Sequence, residues 1–225
     1  VFFLCSLLII MYKDFIIEFQ KALESAGRDI HEVELIAVSK KKPITDIKKV
    51  YELGQLSFGE NQIQEIESKW VEFKKARKNI VLHFIGTIQS RKVRSILENC
   101  DVIHSVDRVK IVKLIKKFED ETGIKREYFL QINTGNESQK SGILLEEADK
   151  FIEECKNNYE LNISGLMCLP PIDQKPSKHF DILKDLAKNH NLSKLSMGMS
   201  HDFKEAIKCG STHIRIGTSI FGKRL

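Results

Sequence analysis

The sequence contains few of the residues that mark linkers or crosslinked scaffolds. There are only four prolines among 225 residues, and the 12 glycines are scattered along the chain. Because no segment has the Pro- or Gly-rich composition of a linker, we expect a single domain. The five cysteines form no C-x-x-C pair and are odd in number, which argues against a disulfide framework and against a zinc site. We therefore expect a reducing, cytoplasmic environment for Cys5, Cys100, Cys155, Cys168 and Cys209.

A long hydrophobic run is also absent. Residues 1–10 are almost entirely apolar, but a transmembrane helix needs about 20 such residues. No basic stretch precedes this run and no small-residue cleavage site follows it, so it does not resemble a secretory signal peptide. Because Met11 follows directly, we expect translation to begin there. Residues 1–10 are then an extension outside the fold, residues 11–225 form the domain, and no membrane partner is expected.

Neither sign of charge dominates the sequence. The 36 Lys and Arg residues face 31 Asp and Glu residues, and hydrophobic residues make up 42% of the chain, which argues against a disordered protein. An RNA-associated protein is an alternative that rests on the net charge of +5 alone. The basic stretch with Arg91, Lys92 and Arg94 has helical periodicity and few aromatic neighbours, as a solvated helix face does. We therefore expect no nucleic-acid partner.

Short, β-branched apolar runs alternate with longer segments of helical periodicity, a pattern that predicts repeated βα units. Eight such units in a chain of this length indicate a single (β/α)8 TIM barrel. A doubly wound open sheet is the alternative, although the G-x-G-x-x-G turn that would follow its first strand is absent. A barrel with no obvious apolar stripe on its outer face favours a monomer. The predicted strands comprise residues 34–39, 56–58, 81–85, 102–104, 128–132, 163–168, 195–197 and 213–216, and the predicted helices include residues 63–76 and 202–208.

A lysine follows the first predicted strand, and barrel enzymes carry their chemistry at the carboxyl ends of the strands. By strand parity, Lys40 shares a face with Ile36 and Val38. An inward lysine is partly desolvated, and desolvation lowers the pKa of an ammonium group and makes the amine a nucleophile for an aldehyde. Lys40 is therefore a candidate Schiff-base residue. The alternative is that Lys40, Lys41 and Lys42 form a solvated charge cluster.

Two glycine-containing segments follow the last two predicted strands, at residues 196–200 and 216–219. In barrels, a phosphate group commonly binds the loops after strands seven and eight, beside a helix N-terminus. Ser200, Gly217 and Thr218 are therefore candidate phosphate-binding residues. The alternative is that the glycines only form tight turns and that Ser200 only caps the helix that follows.

Arg215 lies between Ile214 and Ile216, which share one face of the last predicted strand. If the isoleucines pack against the outer helices, Arg215 turns toward the barrel mouth. There it forms either a structural ion pair or a hydrogen bond to a ligand acceptor. With Lys40 and the two glycine loops, it describes a site for a phosphorylated aldehyde. The histidines show no metal-binding spacing, so we expect no metal site and interpret His83 as a packing residue.

Longer motifs surround these candidates. They are residues 36–40 (IAVSK), 58–61 (FGEN), 83–89 (HFIGTIQ), 131–133 (QIN), 140–142 (KSG), 165–167 (GLM), 195–200 (LSMGMS) and 215–217 (RIG). In this order, they resemble the pyridoxal-phosphate homeostasis protein family, also called the YggS/PROSC family. The resemblance covers residues 11–225 and implies a single barrel like the N-terminal domain of alanine racemase. Residues 90–92 and His201 depart from the family pattern, outside the cofactor contacts that the resemblance implies.

The resemblance implies that Lys40 holds pyridoxal 5′-phosphate (PLP) as a Schiff base and that Arg215 faces the pyridine nitrogen. It also implies a role in intracellular PLP, or vitamin B6, homeostasis, in which apo-enzymes that use PLP are possible acceptors. The other implied cofactor contacts are Ser200, Gly217 and Thr218 for the phosphate, and Asn61 and Met199 for the walls of the pocket.

We expect a non-catalytic PLP carrier rather than an enzyme. A guanidinium beside the pyridine nitrogen keeps that nitrogen unprotonated and weakens PLP as an electron sink. Related racemases, by the resemblance, take a second base from an additional β domain, and this sequence ends soon after Ile216 without one. The alternatives are a racemase-like enzyme and a Schiff-base aldolase or isomerase acting on a sugar phosphate.

Overall fold

The computed structural model describes residues 2–137 and 139–223. Within these residues the chain forms nine strands. They are β1 (Glu34–Val38), β2 (Ser57–Glu60), β3 (Val81–Phe84), β4 (Val102–Val106), β5 (Glu127–Asn133), β6 (Ile143–Leu144), β7 (Ile163–Cys168), β8 (Lys194–Ser196) and β9 (His213–Ile216). The helices between and around them are α1 (Phe2–Ser25), α2 (Ile44–Glu52), α3 (Ile63–Glu65), α4 (Val71–Lys75), α5 (Val93–Asn99), α6 (Val109–Thr122), α7 (Leu145–Glu153), α8 (Pro176–Asn189), α9 (Phe203–Lys208) and α10 (Thr218–Phe221).

All strand pairs are parallel, and eight strands close into a ring. Strand β1 pairs with both β2 and β9, while β4 pairs with β5, so the ring has no open edge. The short strand β6 adds to β5 outside this ring. The predicted (β/α)8 barrel is therefore confirmed, and the doubly wound alternative is wrong.

Alternating side chains divide each strand between the barrel interior and the layer beneath the helices. Leu35 and Ala37 of β1 belong to the large apolar cluster that the strands share with the helices. Ile214 and Ile216 of β9 belong to the same cluster, as the sequence predicts. The residues of opposite parity, such as Ile36 and Arg215, therefore face inward.

Helix α1 packs across the outer layer against α9 and α10. Its buried face includes Phe15 and Phe19, and the ring of Phe15 lies 5.2 Å from that of Phe203. Leu8 is also buried, so the described residues before Met11 continue this helix. The expected division of the chain at Met11 stays a prediction. Val1, Arg224 and Leu225, at the two ends of the predicted segments, lie outside the described residues.

Residues 63–76, predicted as one helix, form α3, a π-helical turn at Ile66–Trp70, and α4. A π turn inserts one residue into the helical register and is common at functional sites. The apolar pattern persists across the turn, and its four apolar residues are all buried: Ile63, Ile66, Trp70 and Phe73. For this reason the sequence pattern predicts one continuous helix. None of the described helices is long and apolar enough to cross a bilayer.

Candidate functional site

A cavity of about 560 Å³ opens at the carboxyl ends of the strands. Its size lies within the usual range of small-molecule sites. All of the cofactor contacts expected from the sequence line it: Lys40, Asn61, Met199, Ser200, Arg215, Gly217 and Thr218. The fold thus brings residues from distant parts of the chain to one place.

Lys40 is half-buried on the turn that follows β1. The backbone N–H of Ser39 donates to Gly59 O on the neighbouring strand at 3.0 Å, and that of Lys42 donates back to Ser39 O at 3.0 Å. Lys41 has φ of 60°, in the left-handed region. The backbone on both sides of Lys40 is therefore hydrogen-bonded to its surroundings.

A buried ion pair lies beneath this turn. The ammonium of Lys69 donates to Glu60 Oε1 at 2.7 Å and to the backbone oxygens of Ser39 and Lys42 at 3.1 and 3.3 Å. Glu65 accepts from Lys69 at 2.8 Å and from the backbone N–H of Lys41 at 2.6 Å. We call Glu60, Glu65 and Lys69 the lysine-turn clamp, because together they bind the backbone on both sides of Lys40.

Glu60 is fully buried, and three donors converge on one of its oxygens. Besides Lys69, its Oε1 accepts from Ser39 Oγ at 2.8 Å and from Trp70 Nε1 at 3.0 Å. Lys69 and Trp70 are adjacent in the π-helical turn, which lets two consecutive side chains reach the same carboxylate. Sequence reasoning missed this clamp, because a π turn leaves no periodic signal.

Arg215 lies in the barrel wall with only 4% of its surface exposed. It donates to Ser196 Oγ at 2.7 Å and to Cys168 O at 2.9 Å, both uncharged acceptors. Burial lowers its pKa, but a guanidinium remains protonated at neutral pH. The sequence left two roles open for Arg215, a structural ion pair and a hydrogen bond to a ligand. Among the described residues, Arg215 forms no ion pair. The remaining N–H groups of Arg215 suit an acceptor in the cavity that it lines.

The loops after β8 and β9 form a further part of the cavity wall. Gly198 has φ of +97°, and a Cβ there would lie 2.6 Å from the Cβ of Ala206, so this turn requires glycine. Helix α9 begins after Asp202, whose Oδ1 accepts from the backbone N–H of Met199 at 2.5 Å. The N-cap position thus belongs to Asp202, and the alternative role of Ser200 as the helix cap is wrong.

Asn61 forms another wall of the cavity, and its backbone lies against Gly86, which follows β3. A Cβ at Gly86 would lie 2.1 Å from the backbone oxygen of Asn61, so only glycine fits there. Lys140 also lines the cavity, where its ammonium pairs with Glu137 at 2.6 Å and donates to Pro170 O at 3.3 Å. The cavity therefore contains three cationic side chains, those of Lys40, Lys140 and Arg215, and suits an anionic ligand.

Known proteins share this sequence and this fold. Residues 19–224 match the family described as "Alanine racemase, N-terminal domain". The pyridoxal phosphate homeostasis protein of Haemophilus influenzae is 38% identical over 215 residues, which cover 91% of each chain.

Among solved structures, an unknown protein from Bifidobacterium adolescentis superposes with a TM-score of 0.90 at 26% identity, covering 97% of this chain and 96% of that one. PipY of Synechococcus elongatus PCC7942, solved with PLP bound, superposes with a TM-score of 0.78 at 30% identity, covering 90% and 99%. The chain therefore belongs to the alanine racemase N-terminal domain family and, within it, to the pyridoxal phosphate homeostasis proteins.

Proposed function

We propose that this protein binds PLP and contributes to intracellular PLP homeostasis, with Lys40 as the covalent attachment point. The observation that carries the proposal is the meeting of Lys40 and the buried Arg215 in one cavity at the barrel mouth. Two further observations support it: related proteins bear the name pyridoxal phosphate homeostasis protein, and PipY, 30% identical, has been solved with PLP bound.

The residues present fit this cofactor. PLP supplies an aldehyde carbon that a primary amine attacks, and it presents a phosphate, a phenolic oxygen and a ring nitrogen as hydrogen-bond acceptors. The buried guanidinium of Arg215 has N–H groups that its two protein contacts do not use. Because Arg215 lines the cavity, an acceptor there can bind these N–H groups. PLP provides acceptors of the required kind.

Lys40 follows β1, and Arg215 lies on the adjacent strand β9, since Ile36 of β1 pairs with Arg215 of β9. We assign the amine of Lys40 to the aldehyde and the guanidinium of Arg215 to the ring nitrogen. Ser200, Gly217 and Thr218 would hold the phosphate through backbone N–H and hydroxyl groups at the ends of the loops after β8 and β9. Asn61 and Met199 would form the walls beside the ring.

We further propose that the protein holds PLP without catalytic turnover. Arg215 carries a permanent positive charge, so it donates to the ring nitrogen and does not protonate it. An unprotonated ring is a weak electron sink, which disfavours chemistry through a carbanion. Steady racemisation or decarboxylation of amino acids that disappears in Lys40→Ala would contradict this part of the proposal.

The proposal extends to location, assembly and partners. We propose a cytoplasmic monomer that hands PLP to apo-enzymes. The free thiols of four cysteines fit the reducing environment of the cytoplasm: Cys100, Cys155, Cys168 and Cys209. Light scattering on the purified protein tests the monomer. Activation of an apo-enzyme by the loaded protein, faster than PLP dissociates into buffer, tests direct transfer.

Titration with PLP tests the central assignment. The wild type should develop the absorption band of a lysine–PLP adduct at one equivalent, and Lys40→Ala should not. Lys41→Ala is the matched control, because Lys41 is exposed on the same turn. A band of equal amplitude in Lys40→Ala would overturn the assignment of Lys40, and the absence of saturable binding in the wild type would overturn PLP binding itself.

A further inference from the structure

A continuous path of polar side chains runs through the barrel interior beneath Arg215. Ser196 Oγ, which accepts from Arg215, lies 2.8 Å from His104 Nδ1. His104 Nε2 lies 2.9 Å from His83 Nδ1, and His83 Nε2 lies 3.2 Å from Glu34 Oε1. Ser196, His104 and His83 are all fully buried. We call this path the Arg215 relay; it connects the cavity to Glu34, whose side chain is 35% exposed.

We assign the donors of the relay one order. Arginine can only donate, so Ser196 Oγ accepts that bond, and the single proton of Ser196 is then available for His104 Nδ1. A neutral His104 then carries its proton on Nε2 and donates to His83 Nδ1. With Nδ1 as an acceptor, His83 carries a proton on Nε2, which faces Glu34 Oε1 at 3.2 Å. Every donor points away from the cavity, and the series ends on a carboxylate.

The charges at the lower end agree with this order. Burial raises the pKa of Glu34, but hydrogen bonds from His213 and His83 outweigh it and hold that pKa far below its usual range. His213 Nε2 lies 3.0 Å from Glu34 Oε2, and Ser57 Oγ donates to Oε1 at 2.5 Å. Burial, followed by the nearby His83, His213 and Arg215, places the pKa of His104 well below its ordinary value. His104 is thus neutral, as the order requires.

The surroundings keep the relay rigid. The ring of His104 stacks on Phe129 with centroids 4.4 Å apart and an interplanar angle of 5°. His213 packs on the edge of the same phenyl ring at 5.0 Å. Both ring nitrogens of His104 are engaged, with His83 and with Ser196. Among the described residues, no group of three or more His, Cys, Asp or Glu side chains is placed to hold a metal ion. A rotated Ser196 hydroxyl or His104 ring would lose a buried hydrogen bond.

We propose that Ser196 and His104 are positioning residues for the cofactor, acting through Arg215. The relay keeps the Ser196 oxygen available as an acceptor for Arg215. This bond fixes the orientation of the guanidinium, so that its remaining N–H groups point at the ring nitrogen of PLP. This inference rests on the proposed function, because it assumes that PLP is the ligand opposite Arg215. It predicts that substitutions in the relay raise the Kd only of ligands that have a ring nitrogen.

Two ligands separate positioning from general structure. PLP and its carbocyclic analogue, in which a CH group replaces the ring nitrogen, share the aldehyde and the phosphate. In Ser196→Ala, the Kd of PLP should rise about tenfold, as expected for a weakened hydrogen bond to a charged group. The Kd of the analogue should stay within about twofold. Ser211→Ala is the matched control, since Ser211 is a fully buried serine bonded to backbone oxygens.

Substitutions at His104 test the second residue. His104→Asn retains an acceptor close to the position of Nδ1 and should bind PLP more tightly than His104→Phe, which retains only the stacking on Phe129. Both variants should bind the analogue equally. Thermal unfolding of each variant establishes that it is folded before the titration.

Nitrogen NMR of the ligand-free protein tests the relay without PLP. The ring of His104 should be neutral, with a protonated Nε2 and an unprotonated Nδ1. A protonated Nδ1 would overturn the proposed order. Equal weakening of PLP and the analogue in Ser196→Ala, or no weakening of either, would overturn the positioning role while PLP binding by the wild type stands. A wild type that binds neither ligand would instead refute the proposed function.

Discussion

Lys40 and Arg215, two cationic residues that line the same cavity, are supported in different ways. Lys40 stands on a turn whose backbone is held by the lysine-turn clamp, in which Lys69 and Glu60 form an ion pair at 2.7 Å. Arg215 stands within β9 and is held through its own guanidinium by the Arg215 relay, which runs through Ser196 and His104 to His83. The clamp acts on the backbone on both sides of Lys40, whereas the relay acts on the functional group of Arg215 itself.

This difference matches the demands on the two residues. An amine that must attack an aldehyde needs a defined position and freedom at Nζ, and backbone hydrogen bonds provide the position. A guanidinium that only donates hydrogen bonds loses nothing when some of its donors are engaged by protein. The following predictions test this contrast, in order of decreasing effect.

The largest effect is expected from Glu60→Gln, which breaks the clamp at its buried centre. The substitution removes the charge of Glu60, which is fully buried. The Lys69 side chain, of which 12% is exposed, then lacks this partner. Removing one member of a buried pair costs about 3–5 kcal/mol, and we expect the free energy of unfolding to fall by about 3 kcal/mol because Glu65 remains. Urea denaturation measures the change. A loss below about 1 kcal/mol would show that the clamp contributes little.

Lys69→Met should destabilise to a similar extent and affect the site more selectively. The methionine fills the volume but leaves the buried carboxylate of Glu60 with only its bonds from Ser39 and Trp70, so we expect a loss of about 3 kcal/mol. The rate of PLP attachment at Lys40 should fall, because the oxygens of Ser39 and Lys42 lose their donor. Stopped-flow absorbance measures the rate. Lys75→Met is the control, since Lys75 forms only an exposed pair with Glu72 and should change neither quantity.

The relay should make stability depend on pH. Because burial first, and then the nearby His83, His213 and Arg215, depress the pKa of His104 in the folded state, the unfolded chain binds its proton more readily. The stabilisation is complete above the unfolded pKa of about 6.5 and is lost as pH falls below it, by up to about 1.4 kcal/mol per pH unit. The slope of unfolding free energy between about pH 5 and 6.5 should be shallower in His104→Phe. An unchanged slope would contradict a neutral His104, and His31→Gln, at an exposed position, serves as control.

The smallest effect is expected far from the cavity, at Arg94. Its guanidinium is 55% exposed and pairs with Glu121 at 2.7 Å and Glu98 at 3.4 Å. Exposed ion pairs contribute less than about 1 kcal/mol, so Arg94→Ala should change the free energy of unfolding by about 0.5 kcal/mol and PLP affinity not at all. A salt-dependent loss of RNA binding in this variant would contradict the expectation that the basic stretch is a solvated helix face.

Much of this architecture could be predicted from the sequence, because barrel strands leave a local signal. Apolar runs and polar strand ends are visible residue by residue, and they place Lys40, Arg215 and the loops after β8 and β9 at one rim. The clamp could not be predicted, since the π turn at Ile66–Trp70 shifts the register without changing the apolar pattern. The relay left a signal that parity alone could have revealed: His83, His104 and Ser196 are polar residues at inward positions of β3, β4 and β8.

Mapping the site of covalent PLP attachment tests the central claim most directly. The wild type is mixed with less than one equivalent of PLP, the link is trapped with borohydride, and the modified peptides are identified by mass spectrometry. The account predicts a single modified residue, Lys40, and loss of that modification in Lys40→Ala. Modification spread over Lys41, Lys42 and other exposed lysines, with Lys40 no more reactive than they are, would contradict it.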